Sequence, residues 1–140
     1  MINGTPITIT GNLGGDPEMR YTPTGQAVTS FSVGATERKK NRETDKYENG
    51  ETTWYRVIAW GYLAENVAAS LTSGARVIAF GTLVCRSWEN REGEKRQTWE
   101  ITADSIGADL TYATVKIARS TRDTAAIPDR APWESETAAS

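Results

Sequence analysis

Side chains alternate in residues 54–60, Trp-Tyr-Arg-Val-Ile-Ala-Trp, and this alternation constrains the fold more than any other feature of the sequence. In a β-strand, successive side chains point to opposite faces of the sheet. One face of such a strand would carry two indoles with a guanidinium between them, namely Trp54, Arg56, Ile58 and Trp60. The other face would carry a set that suits a core, namely Tyr55, Val57 and Ala59. A core disfavours an unpaired guanidinium, whereas a surface that stacks flat rings and pairs with phosphates uses this mixture.

Four further segments show period-two alternation and are predicted to be strands: residues 7–10, 31–35, 77–88 and 98–103. One short helix is expected between the third and fourth strands, because Leu63, Val67 and Leu71 recur at i, i+4 and i+8. This order is typical of an all-β OB-fold, a five-stranded Greek-key barrel that binds oligonucleotides or oligosaccharides. Gly81 predicts a bulge or bend in its strand.

A sixth alternating segment follows the five predicted strands, with Ala113, Val115 and Ile117 on one face. An extra strand with one apolar face is a candidate for pairing with another chain. Beyond it the sequence becomes small and polar, which predicts a disordered tail. We therefore expect one OB-fold domain over residues 1–119, including the extra C-terminal strand, and a disordered polar tail over residues 120–140.

The composition excludes several kinds of site. The chain has 140 residues, no histidine and one cysteine, which rules out intramolecular disulfides, Cys/His metal sites and histidine-dependent nucleophiles. The acidic residues around residues 89–94 fall at a predicted hairpin turn, where charges are normally solvated. We expect no enzymatic activity, no metal and no cofactor. The sequence contains no apolar run of about 18 residues and no signal-peptide pattern, so a cytoplasmic location without a membrane span is expected.

Positive charge is local, because the formal net charge is only −2. Four basic residues fall close together, namely Arg38, Lys39, Lys40 and Arg42. Residues 38–51 are almost wholly polar and are predicted to be a mobile loop or a loose hairpin tip. Such a charge run is either a solvated surface or a segment that follows a phosphate backbone.

Same-face neighbours distinguish the tryptophans from one another. Trp99 shares its predicted face with Ile101 and Ala103, so we expect it in the core. Trp88 lies with Arg86, and Trp54 and Trp60 lie with Arg56, so we expect these three indoles to face a ligand. Duplex DNA hides its base faces, and a stacking surface therefore selects single strands. The alternatives are that the three indoles cover hydrophobic surface or fill a subunit contact, in an OB-fold protein-interaction module with weak or no DNA binding.

Three motifs resemble those of the bacterial single-stranded-DNA-binding proteins. They are Ile-Thr-Ile-Thr-Gly-Asn-Leu-Gly-Gly-Asp-Pro-Glu-Met-Arg-Tyr at 7–21, Trp-Tyr-Arg-Val-Ile-Ala-Trp-Gly-Tyr-Leu-Ala-Glu at 54–65, and Gly-Ala-Arg-Val-Ile-Ala-Phe-Gly-Thr-Leu at 74–83 followed by Arg86 and Trp88. The resemblance covers about residues 5–110. It implies a homotetrameric OB-fold that wraps single-stranded DNA during replication, recombination and repair, associated with the nucleoid.

The resemblance also implies roles for individual residues. Trp54, Trp60 and Trp88 match the family's base-stacking aromatics. Basic positions on its DNA path are matched by Arg56, Arg86 and Arg96. Residues 109–119 are similar to the strand with which actinobacterial members clamp subunits together.

Two departures from the family pattern change the expectation. Some members carry another stacking tryptophan where this chain has residues 38–40, so weaker stacking and stronger salt dependence are expected there. The family's major replicative members end in an acidic tip closed by Pro-Phe, whereas this chain ends Trp-Glu-Ser-Glu-Thr-Ala-Ala-Ser. This difference argues against recruitment of partner proteins through the C-terminus and predicts a specialised second copy.

Overall fold

Six strands and one helix make up the fold in a computed structural model that describes residues 4–120. The elements are β1 Thr5–Leu13, β2 Glu18–Tyr21, β3 Ala27–Lys40, β4 Tyr47–Trp60, α1 Tyr62–Ser70, β5 Arg76–Glu89 and β6 Lys95–Ala108. The sheet order is β1-β5-β6-β4-β3-β2, and an additional pairing of β1 with β3 closes the sheet into a ring. This closed sheet with one short helix confirms the predicted OB-fold.

The five predicted strands and the position of the helix are confirmed, and β2 is the strand that the sequence did not reveal. All four residues of β2 are exposed. This edge strand pairs only with β3, in the register Glu18 with Ser30 and Tyr21 with Ala27. An edge strand with no buried side chain has no apolar alternation to detect.

The core lies inside the ring and contains the apolar face predicted for residues 54–60. Val57 and Ala59 are fully buried, and Tyr55 is partly buried against the core. They pack with apolar residues from the other strands, including Ile9, Leu13, Phe31, Val33, Val77 and Ile101. Residues 4–120 contain no helix long and apolar enough to cross a bilayer.

Gly81 marks the irregularity that its position in the sequence predicted. Phe80 pairs with Ser105, but Gly81 pairs with Ala103, so β6 carries one extra residue at this point. A Cβ atom at Gly81 would overlap the carbonyl oxygen of Thr102. Only glycine therefore allows β5 and β6 to approach each other this closely.

The prediction that Trp99 lies in the core is wrong. Ile101 and Ala103 on its face are buried, but Trp99 is 59% exposed. The cause is the length of the β5–β6 hairpin. β4 pairs with β6 only between Glu100 and Thr102. The part of the hairpin before Glu100, toward its turn, projects past the core.

Residues 113–120 form no strand in the chain alone, so the extra C-terminal strand is not found among the described residues. Its expected partner is another chain, because a strand needs a neighbour to supply hydrogen bonds. The pairing therefore stays a prediction. Of the predicted disordered tail, residues 120–140, all but the first residue lie outside the described part of the chain.

Candidate nucleic-acid interface

The strand register brings six of the predicted site residues onto one face of the sheet. Residues paired across two strands lie side by side on the same face. The register pairs Gly34 with Trp54 and Ser32 with Arg56 across β3 and β4. Arg56 is paired in turn with Glu100 on β6. We call this the tryptophan face, defined by Trp54, Arg56 and Trp60 on β4, Arg86 and Trp88 on β5, and Arg96 on β6.

The three indoles of the tryptophan face are all open to solvent. Trp54 is 61% exposed, Trp88 50% and Trp60 41%. Trp88 is also oriented from the neighbouring strand, because its Nε1 donates a hydrogen bond to the Thr98 hydroxyl over 3.1 Å. Exposed indoles beside guanidinium groups form a surface on which unpaired bases can stack.

Glu100 is a buried carboxylate in the middle of this face, and sequence reasoning missed it. It is 6% exposed and lies between two arginines. Arg56 donates from Nε to its Oε2 over 3.0 Å. The Nε of Arg86 forms an ion pair with its Oε1 at 2.5 Å, but not at the angle of a hydrogen bond. Each arginine uses Nε, which leaves its four terminal N–H donors for other partners.

The two guanidiniums remain about half exposed, at 52% for the Arg56 side chain and 59% for that of Arg86. Glu100 therefore orients both groups and offsets part of their charge without covering them. The alternation of residues 98–102 places Glu100 on this face, but only the packing shows that it is buried.

Arg96 is adjacent to Trp88 in the register of β5 and β6. Its guanidinium contacts the Glu94 carboxylate at 2.9 Å, and both side chains are more than half exposed. An exposed ion pair of this kind is weak and exchanges readily for other partners. Arg96 thus remains usable for an incoming phosphate.

Residues 37–51 form a paired hairpin rather than a loop, and we call them the β3–β4 arm. Three of the predicted basic residues end β3, where the register pairs Arg38 with Asn49, Lys39 with Glu48 and Lys40 with Tyr47. Arg42 lies exposed in the turn. This agrees with the hairpin interpretation and not with the loop interpretation of the sequence.

The β3–β4 arm carries no net charge. Its five basic residues, Arg38, Lys39, Lys40, Arg42 and Lys46, are matched by five acidic ones, Glu37, Glu43, Asp45, Glu48 and Glu51. Lys40 contacts Asp45 at 2.9 Å and Lys39 contacts Glu37 at 3.7 Å. The basic group that stands out in the sequence is therefore partly neutralised within its own hairpin.

Two further residues extend the candidate interface and were not identified from sequence. Tyr47 is 64% exposed on the β3–β4 arm, with the Arg38 guanidinium 5.8 Å from its ring centroid. Arg20 on β2 is paired with Val28, which is itself the neighbour of Trp60. Tyr47 could have been recognised from the sequence as an aromatic residue within the charged segment. Arg20 could not, because its position near Trp60 depends on the pairing of β2 with β3.

A second polar cluster lies away from the tryptophan face, where β6 ends. Hydrogen bonds from the hydroxyl and the amide of Thr111, followed by one from Arg76, lower the pKa of Asp109. The Arg76 Nε contacts Asp109 at 2.7 Å. Within residues 4–120, no three acidic or cysteine side chains converge in a way that could hold a metal ion.

Comparisons with known proteins agree on one family. A family model described as the single-strand binding protein family matches residues 5–109. A single-stranded DNA-binding protein of Mycobacterium tuberculosis is 50% identical over 122 residues, which cover 87% of this chain and 74% of that protein. A protein of the same description from Corynebacterium glutamicum is 47% identical over 121 residues, covering 86% of this chain and 54% of the relative. The crystal structure of a small single-stranded DNA-binding protein from Streptomyces coelicolor superposes with a TM-score of 0.67 at 33% identity, covering 78% of this chain and 97% of that one.

Proposed function

Because this chain belongs to the single-strand binding protein family, we propose that it binds single-stranded DNA without sequence preference and protects it during replication, recombination or repair. The observation that carries the proposal is the tryptophan face, on which three exposed indoles alternate with half-exposed arginines. The proposed activity is binding, with no catalytic step.

Base stacking supplies the sequence-tolerant part of the proposed affinity. Each base stacked on an aromatic side chain is worth about 1–3 kcal/mol, and every base offers a flat ring. We assign this role to Trp54, Trp60 and Trp88. A duplex keeps its base faces stacked on one another, so these contacts are available only to single strands.

Phosphate pairing supplies the salt-dependent part. Arg56, Arg86 and Arg96 lie between and beside the three indoles, at positions from which a guanidinium can reach the backbone of a stacked strand. On the β3–β4 arm we assign a weaker contribution to the basic residues, namely Arg38, Lys39, Lys40 and Arg42, because acidic neighbours offset their charge. The logarithm of the affinity should fall with the logarithm of the salt concentration at about −0.7 per neutralised phosphate.

The proposed working form is a homotetramer associated with the DNA of the bacterial cytoplasm. Residues 1–119 would act as one domain. Residues 109–119 would pair with a neighbouring subunit, and this pairing would supply the strand that residues 113–120 do not form in the chain alone. Several subunits would then present several tryptophan faces to one strand of DNA.

The test is a titration of the intrinsic tryptophan fluorescence with oligo-dT and with a duplex of equal length, at three salt concentrations. Stacked bases should quench the indole emission, the duplex should quench it far less, and affinity should fall with salt. Light scattering on the same samples measures the mass of the assembly. No quenching and no binding of oligo-dT at low salt would contradict the proposal and favour an OB-fold that serves a protein contact.

A further inference from the structure

The Trp54 indole occupies space that two glycines leave free. Gly14 lies in the turn after β1, and Gly34 is the direct partner of Trp54 on β3. A Cβ atom at Gly14 would stand 2.7 Å from Cζ3 of Trp54, and one at Gly34 would stand 3.0 Å from Cζ3 and Cη2. The same two ring atoms are therefore confined by glycines from two separate segments of the chain.

We propose that Gly14 and Gly34 form a seat for the Trp54 indole and act as positioning residues that hold it ready for a nucleobase. This inference rests on the proposed function, because the expected occupant is a base of single-stranded DNA. The indole fits in the seat because neither glycine has a side chain. Any Cβ at either position would push the ring away from its present position.

The seat is anchored to the rest of the fold on both sides. The amide of Gly14 donates to the carbonyl oxygen of Ser32 over 3.0 Å. Asp16, two residues later, accepts a hydrogen bond from the amide of Ser73 over 2.8 Å. Gly34 lies where the ring of strands closes, since it pairs with Asn12 of β1 as well as with Trp54 of β4. Both glycines are thus fixed independently of the indole.

Trp54 also forms one wall of a cleft with a volume of about 420 Å³. The cleft is lined by Gly14, Gly15, Ser32 and the neighbouring Arg56, among others. Arg56 lines the same cleft as the indole, so its guanidinium is available to the phosphate of a base that stacks there. Holding the ring in advance reduces the side-chain entropy that is lost when the base binds.

The space around the glycines predicts which substitutions move the indole and which disturb the fold. Alanine at Gly14 or Gly34 would meet mainly the far end of the Trp54 side chain, which can move. Gly11 is different, because a Cβ atom there would overlap the carbonyl oxygen of Gly34, which is backbone. Gly107 on β6 does not line this cleft, has no atom within 4 Å of its Cβ position and provides the control.

The first test is a double-mutant cycle on the affinity for oligo-dT. Gly14→Ala should weaken binding roughly 5-fold or more, up to the loss of one stacked base, and Gly34→Ala should act in the same direction. Gly107→Ala, away from the cleft, should change affinity less than about 2-fold. In a Trp54→Ala background, Gly14→Ala should have no further effect. A normal affinity of Gly14→Ala, or a loss that persists without Trp54, would overturn the inference.

The second test needs no DNA. In protein labelled with 5-fluorotryptophan, the ¹⁹F resonance that is missing from Trp54→Phe reports on the Trp54 ring. Gly14→Ala should shift and broaden this resonance while the resonances of the other tryptophans and the melting temperature stay unchanged. Gly107→Ala should leave all of them unchanged. An unchanged Trp54 resonance in Gly14→Ala would contradict the proposal that Gly14 positions the indole. If the wild type does not bind oligo-dT, the proposed function fails, and this second test alone decides whether the seat exists.

Discussion

Arg56 donates from its Nε to the Oε2 atom of Glu100 over 3.0 Å, although the two residues are 44 positions apart in the chain. The carboxylate also pairs with Arg86 and is almost completely buried. The surface that we propose to bind phosphates thus contains an acidic group at its centre. We infer that Glu100 holds two guanidiniums in place and at the same time reduces the positive charge that they present.

The Glu100 carboxylate should stabilise the fold and reduce the salt dependence of DNA binding. Glu100→Gln leaves two neighbouring arginines without their shared counter-ion, which should lower the free energy of unfolding by about 1–3 kcal/mol. The lower end of this range is expected, because both guanidiniums are half exposed. The surface gains one net positive charge, so the log–log salt slope of oligo-dT binding should steepen by about 0.7. Urea unfolding and salt titrations measure the two effects.

Glu94→Gln is the control for this prediction. Glu94 pairs with Arg96 at 2.9 Å, but both side chains are exposed, and such a pair contributes about 0–1 kcal/mol. The change in unfolding free energy should therefore be smaller than for Glu100→Gln. Equal losses in the two variants would show that the burial of Glu100 has no energetic consequence.

Gly81→Ala should destabilise the fold instead of the DNA contact. The new Cβ atom would meet the backbone of Thr102 and Ala103, which cannot move without opening the β5–β6 pairing. We expect a loss of about 1–3 kcal/mol in the free energy of unfolding, as for other overpacked sites. Gly107→Ala, on the same hairpin, introduces a Cβ atom with no neighbour within 4 Å and should change stability by less than about 0.5 kcal/mol. Chemical denaturation of both variants tests this prediction. Similar unfolding midpoints for Gly81→Ala and Gly107→Ala would refute it.

Asp109 should make stability depend on pH in the acid range. Its pKa in the folded chain is lowered by the Thr111 hydrogen bonds and by Arg76, so its stabilising contribution is present above the ordinary value of 3.8. The contribution is lost as the pH falls through the lowered pKa, because the folded state must then accept a proton that it binds poorly. Wild type should melt at a higher temperature than Asp109→Asn at pH 6, and the difference should shrink below pH 3.8. A difference that is constant with pH would exclude this explanation.

The alternation of residues 54–60 was sufficient to predict both the core face of β4 and the exposed indoles on its other face. The same rule failed at Trp99, because alternation specifies a face but not the point at which the core ends. Trp99 faces the same way as Ile101, yet it precedes Glu100, which is the first residue of β6 that pairs with β4.

Two of the remaining differences arise from contacts between residues that are distant in sequence, and one arises from charges within a single hairpin. The burial of Glu100 depends on the approach of Arg56 and Arg86 from two other strands. The neutral charge of the β3–β4 arm depends on acidic residues that a search for basic residues passes over. Gly14 in the first motif is a glycine whose contact with Trp54 only the folded chain reveals.

The central claim is that single-stranded DNA binds the tryptophan face, and two nearly equally exposed tryptophans test it most directly. Trp54 is 61% exposed on this face, whereas Trp99 is 59% exposed on the opposite face of the sheet. The measurement is the affinity for oligo-dT, determined by anisotropy of labelled DNA for Trp54→Ala and Trp99→Ala. Trp54→Ala should cost about 1–3 kcal/mol of binding free energy, and Trp99→Ala should leave the affinity within about 2-fold of wild type. Equal losses in the two variants, or a loss confined to Trp99→Ala, would contradict the claim.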